Sequence, residues 1–229
     1  MTHEDNEDRW AVDAAQGLFV VSDGMADPVA PQIVIDELPG RLRARLDGLA
    51  PDDPRAAGEV RRALAGLSAE VRAEGARRPG RGWLGATVVL AVVRGRQALL
   101  AHLGDSRIYL HRGGRLEPLT RDHTLLNEMI DRGEVTPERA RGLRATGGPS
   151  RFVGMFGEAE ADTRLLDLRP GDRLLLCSDG LTAMLSDAQI AGLLGQFPEP
   201  AEACRRLVEA ANAAGGEDNV TALVVAVPE

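Results

Sequence analysis

The sequence predicts an α+β fold built on antiparallel sheet. Short apolar, β-branched runs follow one another across connections of hairpin length, as between residues 86–93 and 98–103. Segments with helical spacing lie in separate blocks between these runs. Because strands and helices grouped in blocks are typical of antiparallel sheets, a doubly wound parallel sheet is not favoured.

The predicted strands are apolar runs bounded by turn residues. Two of them end in the same tripeptide, as Ser22-Asp23-Gly24 and Ser178-Asp179-Gly180. Tight turns of this kind are typical of strand ends. The predicted strands are 18–21, 86–93, 98–103, 107–110, 174–177 and 220–227.

The helices are predicted from 3.6-residue spacing and from capping residues. Residues 55–76 show that spacing, and residues 28–49 are predicted to be helical with a break or kink at Pro39. Ser186 and Gln189 form a capping box for a helix that runs to residue 194. A further helix over 201–214 ends at two glycines. With no convincing linker, residues 1–229 are predicted to form a single domain.

Composition excludes several classes of function. The chain has 229 residues, of which 44% are hydrophobic and 27% charged, as expected for a folded protein. Its net charge of −8 argues against nucleic-acid binding, which needs cations to displace phosphate counterions. All basic residues are Arg, and the absence of Lys excludes Schiff-base chemistry and a P-loop.

The sequence also bears on location. Cys177 and Cys204 form no CxxC pair, so a disulfide framework is not expected. The longest apolar run, 86–93, is too short to cross a bilayer, and the first ten residues are polar. We therefore expect a cytoplasmic monomer that binds neither membranes nor nucleic acid.

Acidic residues at strand ends are the candidate chemical centre. Asp8, Asp23, Asp179 and Asp218 each adjoin an apolar strand, so they could meet at one rim of a sheet. Converging carboxylates repel one another and favour a divalent cation, and oxygen-only ligands suit Mg²⁺ or Mn²⁺. An Asp-Gly pair taken alone is more often a simple turn, so only the set supports this interpretation.

The set resembles a known family, the metal-dependent protein phosphatases (PPM, or type 2C). Its motifs occur in the family's order along nearly the whole chain, and together they are specific. They are Asn6-Glu7-Asp8, Ser22-Asp23-Gly24-Met25, Gly85-Ala86-Thr87, His102-Leu103-Gly104-Asp105-Ser106-Arg107, Leu119-Thr120-Arg121-Asp122-His123, Pro170-Gly171-Asp172-Arg173, Ser178-Asp179-Gly180 and Asp218-Asn219-Val220-Thr221.

The resemblance implies a four-layer α-β-β-α sandwich, with two central antiparallel sheets flanked by helix pairs. It implies two Mn²⁺ or Mg²⁺ ions and attack on phosphorus by a metal-bridging water, without a covalent intermediate. A mobile flap is implied over about residues 125–156. The implied metal ligands are Asp23, the Gly24 carbonyl, Asp179 and Asp218, with Asp8 and Glu7 acting through water, Asp122 holding a possible third ion and Asn219 orienting its neighbour.

Three departures from the family pattern carry expectations. His3 stands where the family has a phosphate-gripping Arg, so phosphate binding should be weaker and should strengthen at low pH. Ala26-Asp27-Pro28 replaces a pair of glycines, which could change the start of the first helix. The family normally has a further strand before Asn-Glu-Asp, and the sequence begins almost at that motif, so either the start codon is misassigned or the sheet has lost an edge strand; the second case would leave backbone groups of the sheet unpaired.

Other polar residues have simpler expected roles. His102 is expected to be a satisfied core or turn residue, His123 to pack in a turn and His111 to be solvated. Asp105 is expected to stabilise its turn, and Cys177 to be buried and inert.

The resemblance therefore predicts a bacterial-type phosphatase acting on phosphoserine and phosphothreonine in the substrates of a Ser/Thr kinase. Two alternatives stay open. One is a weakly active or inactive relative that binds phosphoproteins or signals. The other is a phosphatase dedicated to one stress- or sporulation-type regulatory protein.

Overall fold

The computed structural model describes residues 6–25, 27–78, 82–140 and 148–228. Along the chain, groups of strands alternate with groups of helices, whereas single strands do not alternate with single helices. In chain order the elements are β1 (Arg9–Asp13), β2 (Leu18–Ser22), α1 (Val29–Arg45), α2 (Ala56–Arg77), β3 (Val88–Arg94), β4 (Gln97–Leu103), β5 (Arg107–Arg112), β6 (Arg115–Pro118), α3 (Leu125–Asp131), α4 (Pro137–Ala140), β7 (Asp162–Asp167), β8 (Arg173–Cys177), α5 (Asp179–Met184), α6 (Asp187–Gln196), α7 (Pro200–Ala213) and β9 (Ala222–Ala226).

The strands form two antiparallel sheets. The first has the order β1-β2-β3-β4-β7 and the second the order β6-β5-β8-β9. Apolar side chains from both sheets, such as Val89 of β3 and Leu174 of β8, pack together in one buried cluster. The sheets therefore lie face to face, and this cluster is the core between them.

Helices cover the outer face of each sheet. α1 and α2 pack on the first sheet through buried residues such as Leu38 and Leu67, which share a cluster with Leu90 of β3. α5, α6 and α7 pack on the second sheet through Leu181, Ile190 and neighbouring residues. The four-layer α-β-β-α arrangement predicted from the resemblance is confirmed.

Local sequence accounts for most element ends. The capping box of Ser186 and Gln189 is present at the start of α6, as predicted. α1 continues through Pro39, so the predicted break there is wrong. Pro39 is half-buried on a helix whose other residues, such as Leu38 and Leu42, are anchored on the first sheet. Tertiary packing of these residues offsets the one backbone hydrogen bond that proline removes.

Two further expectations bear on individual residues. His111 was expected to be solvated, but it is buried with 8% of its surface exposed, and that prediction is wrong. The end of α6 covers β5 at this point, since a Cβ on Gly195 would lie 3.9 Å from His111 Nε2. Cys177 is buried, and both cysteines are free, as expected.

No helix in the described part of the chain is long and apolar enough to span a bilayer.

Candidate metal centre

Strand pairing brings the four predicted carboxylates to the same ends of the two sheets. Arg9 pairs with Ser22, so Asp8 just before β1 lies beside Asp23 just after β2. Cys177 pairs with Ala222, so Asp179 at the start of α5 lies near Asp218, which precedes β9. Antiparallel register therefore forms one pair of carboxylates in each sheet. The packing of the two sheets brings the pairs together, since the charge of Asp218 acts on Asp8, 210 positions away in sequence.

Ser178 joins the two sheets at this point. Its Oγ donates a hydrogen bond to Asp8 Oδ2 at 2.7 Å and accepts one from the Thr221 N–H at 2.9 Å. Ser178 has no exposed surface, so both bonds are shielded from water. One hydroxyl thus fixes the Asp8 carboxylate against the ends of β8 and β9.

Thr87 holds the turn that carries Asp23. Its Oγ accepts a hydrogen bond from the Asp23 N–H at 3.2 Å, and its own N–H donates to the Asp23 carbonyl at 2.8 Å. Ser22 Oγ donates to the Thr87 carbonyl at 2.7 Å. These bonds fix the backbone on both sides of Asp23, which directs its side chain toward Asp8 and Asp179.

Both glycines of the repeated tripeptide are required by close backbone approach. A Cβ on Gly24 would lie 2.7 Å from the Asp27 carbonyl oxygen and 3.0 Å from that of Glu7. A Cβ on Gly180 would lie 2.0 Å from the Asn219 carbonyl oxygen. Any other residue would push these segments apart, so glycine permits the compact arrangement of the site.

The carboxylates interact strongly with one another. Burial, together with the charges of Asp8 and Asp179, raises the pKa of Asp23 well above its usual value. Burial also raises the pKa values of Asp8 and of Asp179, and the charge of Asp218 adds to both. Like charges held this closely favour proton uptake or a bound cation.

The residues present fit divalent cations. Asp8 is buried, Asp23 and Asp179 are half-buried and Asp218 is exposed, so the cluster opens to solvent on one side. Asp8 Oδ1 is buried without a hydrogen-bond partner among the described residues. The other oxygen of the same carboxylate, Oδ2, accepts the hydrogen bond from Ser178. An all-oxygen set with such an atom suits Mn²⁺ or Mg²⁺ and not a soft metal.

Asn219 connects the two acidic segments. Its Oδ1 accepts a hydrogen bond from the Glu7 N–H at 2.8 Å, and its own N–H donates to Asp218 Oδ1 at 2.7 Å. The predicted orienting residue therefore lies in direct contact with Asp218 and with the backbone of Glu7. Its role toward a metal stays a prediction.

Asp122, the predicted ligand of a third ion, forms an ion pair instead of standing alone. Arg107 Nε and Nη2 donate to its two carboxylate oxygens at 2.8 and 2.7 Å. Asp105 interacts with two carboxylates of the cluster, Asp179 and Asp122, although its sequence pattern predicted only a turn-stabilising role. Burial and the charge of Asp179 raise the pKa of Asp105 to about 7. Its place in Gly104-Asp105-Ser106, directly after β4, was the signal in the sequence.

Several predicted features lie outside the described residues or serve a different purpose. His3 and Ala26 lie outside them, as do residues 141–147 of the predicted flap. Asp27 Oδ1 accepts a hydrogen bond from the Val29 N–H at 2.8 Å, which holds the turn that leads into α1. α3 and α4, in the described part of the flap segment, have no buried residues.

A two-sheet sandwich covered by helices, with acidic residues gathered at its strand ends, defines the class of PPM-type domains. Residues 40–228 match the family described as stage II sporulation protein E (SpoIIE). The chain belongs to this SpoIIE/PPM-type family.

Individual relatives support the same assignment. The chain is 36% identical over 240 residues to the serine/threonine protein phosphatase PstP of Mycobacterium tuberculosis, covering 98% of this chain but 42% of that protein. The chain thus spans less than half the length of this relative. The structure of PppA of Pseudomonas aeruginosa superposes with a TM-score of 0.81 at 34% identity, covering 99% of this chain and 92% of the other.

A solved structure of a phosphatase named PstP contains metal. The catalytic domain of PstP in complex with two manganese ions superposes with a TM-score of 0.74 at 33% identity, covering 100% of this chain and 94% of the other. Manganese binding in a relative with this fold agrees with the oxygen-rich donor set found here.

Proposed function

We propose that this chain is a metal-dependent phosphatase that hydrolyses phosphoserine and phosphothreonine in proteins. One observation carries the proposal most directly. Burial, together with the charges of neighbouring carboxylates, raises the pKa values of Asp8, Asp23 and Asp179, and Asp8 Oδ1 has no hydrogen-bond partner among the described residues. Such a cluster costs folding free energy unless a cation occupies it. The names of the relatives, which are protein phosphatases, supply the reaction class.

The proposed ligands are those predicted from the sequence. Asp23 would bridge two Mn²⁺ or Mg²⁺ ions, with the Gly24 carbonyl on one and Asp179 and Asp218 on the other. Asp8 and Glu7 would act through water. When bound, these ions supply an activated water and neutralise charge on the phosphoryl oxygens.

The chain's own residues place these ligands before any substrate binds. Ser178 fixes Asp8, Thr87 fixes the backbone of Asp23, and Asn219 fixes Asp218 relative to Glu7. Such preorganisation lets charge stabilisation act without rearrangement during the reaction. Asp218 is exposed, so a phosphorylated side chain can approach from solvent.

A third ion is the finer part of the proposal. Asp122 remains a proposed ligand, and its charge also raises the pKa of Asp179. Asp105 interacts with both of these carboxylates, so it belongs to the same acidic group. If Asp122 holds an ion, Asp122→Asn should weaken a Mn²⁺ binding step seen by calorimetry. If Asp105 holds the ion, Asp105→Asn should weaken this binding step and Asp122→Asn should leave it unchanged.

Substrates and partners follow from the reaction class. We propose phosphoproteins made by a Ser/Thr kinase as substrates and a monomer as the active form. His3 is the proposed phosphate contact. Its effect is tested by His3→Arg, which should lower the KM for a phosphothreonine peptide if His3 contacts phosphate.

The deciding experiment measures hydrolysis of p-nitrophenyl phosphate and of a phosphothreonine peptide, with and without Mn²⁺. Wild type should require Mn²⁺, and Asp179→Asn should lose activity on both substrates. If wild type binds Mn²⁺ but turns over neither substrate, general phosphoserine and phosphothreonine hydrolysis is refuted, and the two alternatives, a phosphoprotein-binding relative and a phosphatase dedicated to one regulatory protein, are favoured.

A further inference from the structure

His123 is a buried histidine that contacts three separate segments. It is 3% exposed and lies directly after Asp122. Its backbone N–H donates to the Gly104 carbonyl at 2.9 Å, and the Gly104 N–H donates back to His123 Nδ1 at 3.1 Å. Its carbonyl accepts a hydrogen bond from the Ser150 N–H at 2.7 Å. Its Nε2 lies 3.1 Å from Asp162 Oδ2 on β7.

These contacts define the protonation of the ring. A backbone N–H points at Nδ1, so that nitrogen is an acceptor and carries no proton. The proton of the neutral ring is then on Nε2, where it is donated to the Asp162 carboxylate. Both ring nitrogens are therefore used, and one tautomer is selected by geometry alone.

The same tautomer argues against a metal at this place. Ligand atoms of His102, His123 and Asp162 lie within 4.8 Å of one another, which is close enough for an ion. An ion on Nε2 of His123 would displace its proton to Nδ1, where it would face the Gly104 N–H. Two donors would then oppose each other in a buried space, so the cluster favours a hydrogen-bond network over a metal.

The Gly104 turn leads directly into the acidic cluster. Gly104 has φ +119°, and a Cβ there would lie 2.6 Å from Thr87 Cβ, so the turn is packed tightly against Thr87. Thr87 in turn holds the backbone of Asp23. Asp105, the next residue along, interacts with Asp179. A shift of Gly104 would therefore move Asp105 and disturb the support of Asp23.

We propose that His123 is a positioning residue for the metal centre, acting through its Nδ1 bond to the Gly104 N–H. Its two bonds to Gly104 hold the turn that carries Asp105, and its carbonyl ties the chain at Ser150 to the same point. Asp162 sets the tautomer by accepting from Nε2. This inference rests on the proposed function, because the centre it supports is the proposed site of hydrolysis.

Two substitutions separate the roles of the two ring nitrogens. In His123→Asn the amide oxygen stands at the position of Nδ1 and can still accept from the Gly104 N–H. In His123→Gln the amide nitrogen stands at the position of Nε2, and the acceptor for Gly104 is lost. The proposal predicts that Asn retains more function than Gln, although Gln is the longer side chain.

Three measurements test it. Nitrogen-15 NMR of the imidazole in the metal-free wild type should show a protonated Nε2 and an unprotonated Nδ1. Calorimetry should show Mn²⁺ affinity reduced by about tenfold in His123→Gln and less in His123→Asn. The kcat for p-nitrophenyl phosphate should fall by about tenfold in His123→Gln, with KM changed by less than about twofold.

Each result decides one point. A protonated Nδ1 in the wild type would overturn the proposal without any reference to activity. Equal losses of Mn²⁺ affinity in the Asn and Gln variants would also overturn it, since the hydrogen bond from the Gly104 N–H to Nδ1 would then make no difference to metal binding. A wild type that binds Mn²⁺ but lacks turnover refutes the proposed function. The NMR and calorimetry results would still test the role of His123, because neither measurement depends on turnover.

Discussion

Replacing Ser178 by alanine should destabilise the protein and weaken metal binding together. Ser178→Ala removes the donor to Asp8 Oδ2 and the acceptor of the Thr221 N–H, both in a site without solvent exposure. A hydrogen bond to a charged group contributes about 1.5–3 kcal/mol, and a buried donor left unpaired costs about 1–3 kcal/mol. We therefore expect a loss of about 4 kcal/mol in the free energy of unfolding.

The assay is urea unfolding in EDTA, followed by circular dichroism, so that metal binding does not contribute. In a thermal scan of the same EDTA sample, the melting temperature should fall by about 10 °C, because each kcal/mol shifts it by about 2–4 °C in a chain of this size. In a separate titration, Mn²⁺ affinity should fall by about tenfold, because Asp8 loses the bond that orients it.

Ser68→Ala is the matched control. Ser68 is 1% exposed, and its Oγ accepts one backbone hydrogen bond, from the Gly154 N–H at 2.9 Å. Its loss should cost about 1–3 kcal/mol of stability and leave Mn²⁺ affinity unchanged. A loss below about 1 kcal/mol for Ser178→Ala, or an equal loss of Mn²⁺ affinity in both variants, would refute the reasoning.

Two further predictions concern backbone contact and pH. Gly180→Ala places a Cβ 2.0 Å from the Asn219 carbonyl oxygen, so calorimetry should show Mn²⁺ affinity reduced by about tenfold or more. Gly192→Ala on α6 meets no atom within 4 Å and should leave that affinity unchanged. For Asp172, burial raises the pKa, but hydrogen bonds and charge from Arg112 lower it below its usual value. Asp172→Asn should therefore lose about 2–3 kcal/mol at pH 7. Urea unfolding should show the difference from wild type shrinking below about pH 4, where the unfolded wild-type chain takes up a proton at Asp172 before the folded protein does. A difference that grows in acid would contradict this sign.

The fold could be predicted mainly where hydrophobic pattern and capping agree. The strand predicted at 174–177 became β8 over Arg173–Cys177, and the helix after Ser186 became α6. β7 was missed because Asp162–Asp167 is an exposed edge strand in which three of six residues are charged, Asp162, Arg164 and Asp167, and its two leucines are adjacent rather than alternating. Edge strands carry such charges to prevent further pairing, which hides their apolar pattern.

The candidate site was predictable from residue type and order, but its support was not. Asp8, Asp23, Asp179 and Asp218 were named from the sequence, and the structure brings them together. The contact of Ser178 with Asp8 spans 170 residues and depends on how the two sheets meet. Such pairing depends on tertiary register, which single-sequence patterns do not specify.

The central claim is that the acidic cluster is a cation site whose charges oppose folding when it is empty. The most direct test measures the free energy of unfolding of wild type and Asp23→Asn, each in EDTA and in Mn²⁺. The pKa of Asp23 is raised in the folded protein, so its charge at pH 7 costs stability and Asp23→Asn should be the more stable protein in EDTA.

Mn²⁺ at about 100 times its Kd should stabilise the wild type by about 2.7 kcal/mol and the variant by much less. When Mn²⁺ is added, the difference in free energy of unfolding between the two proteins should therefore shrink, or wild type should become the more stable of the two. Equal stabilisation of both proteins by Mn²⁺, or a less stable Asp23→Asn in EDTA, would contradict the account.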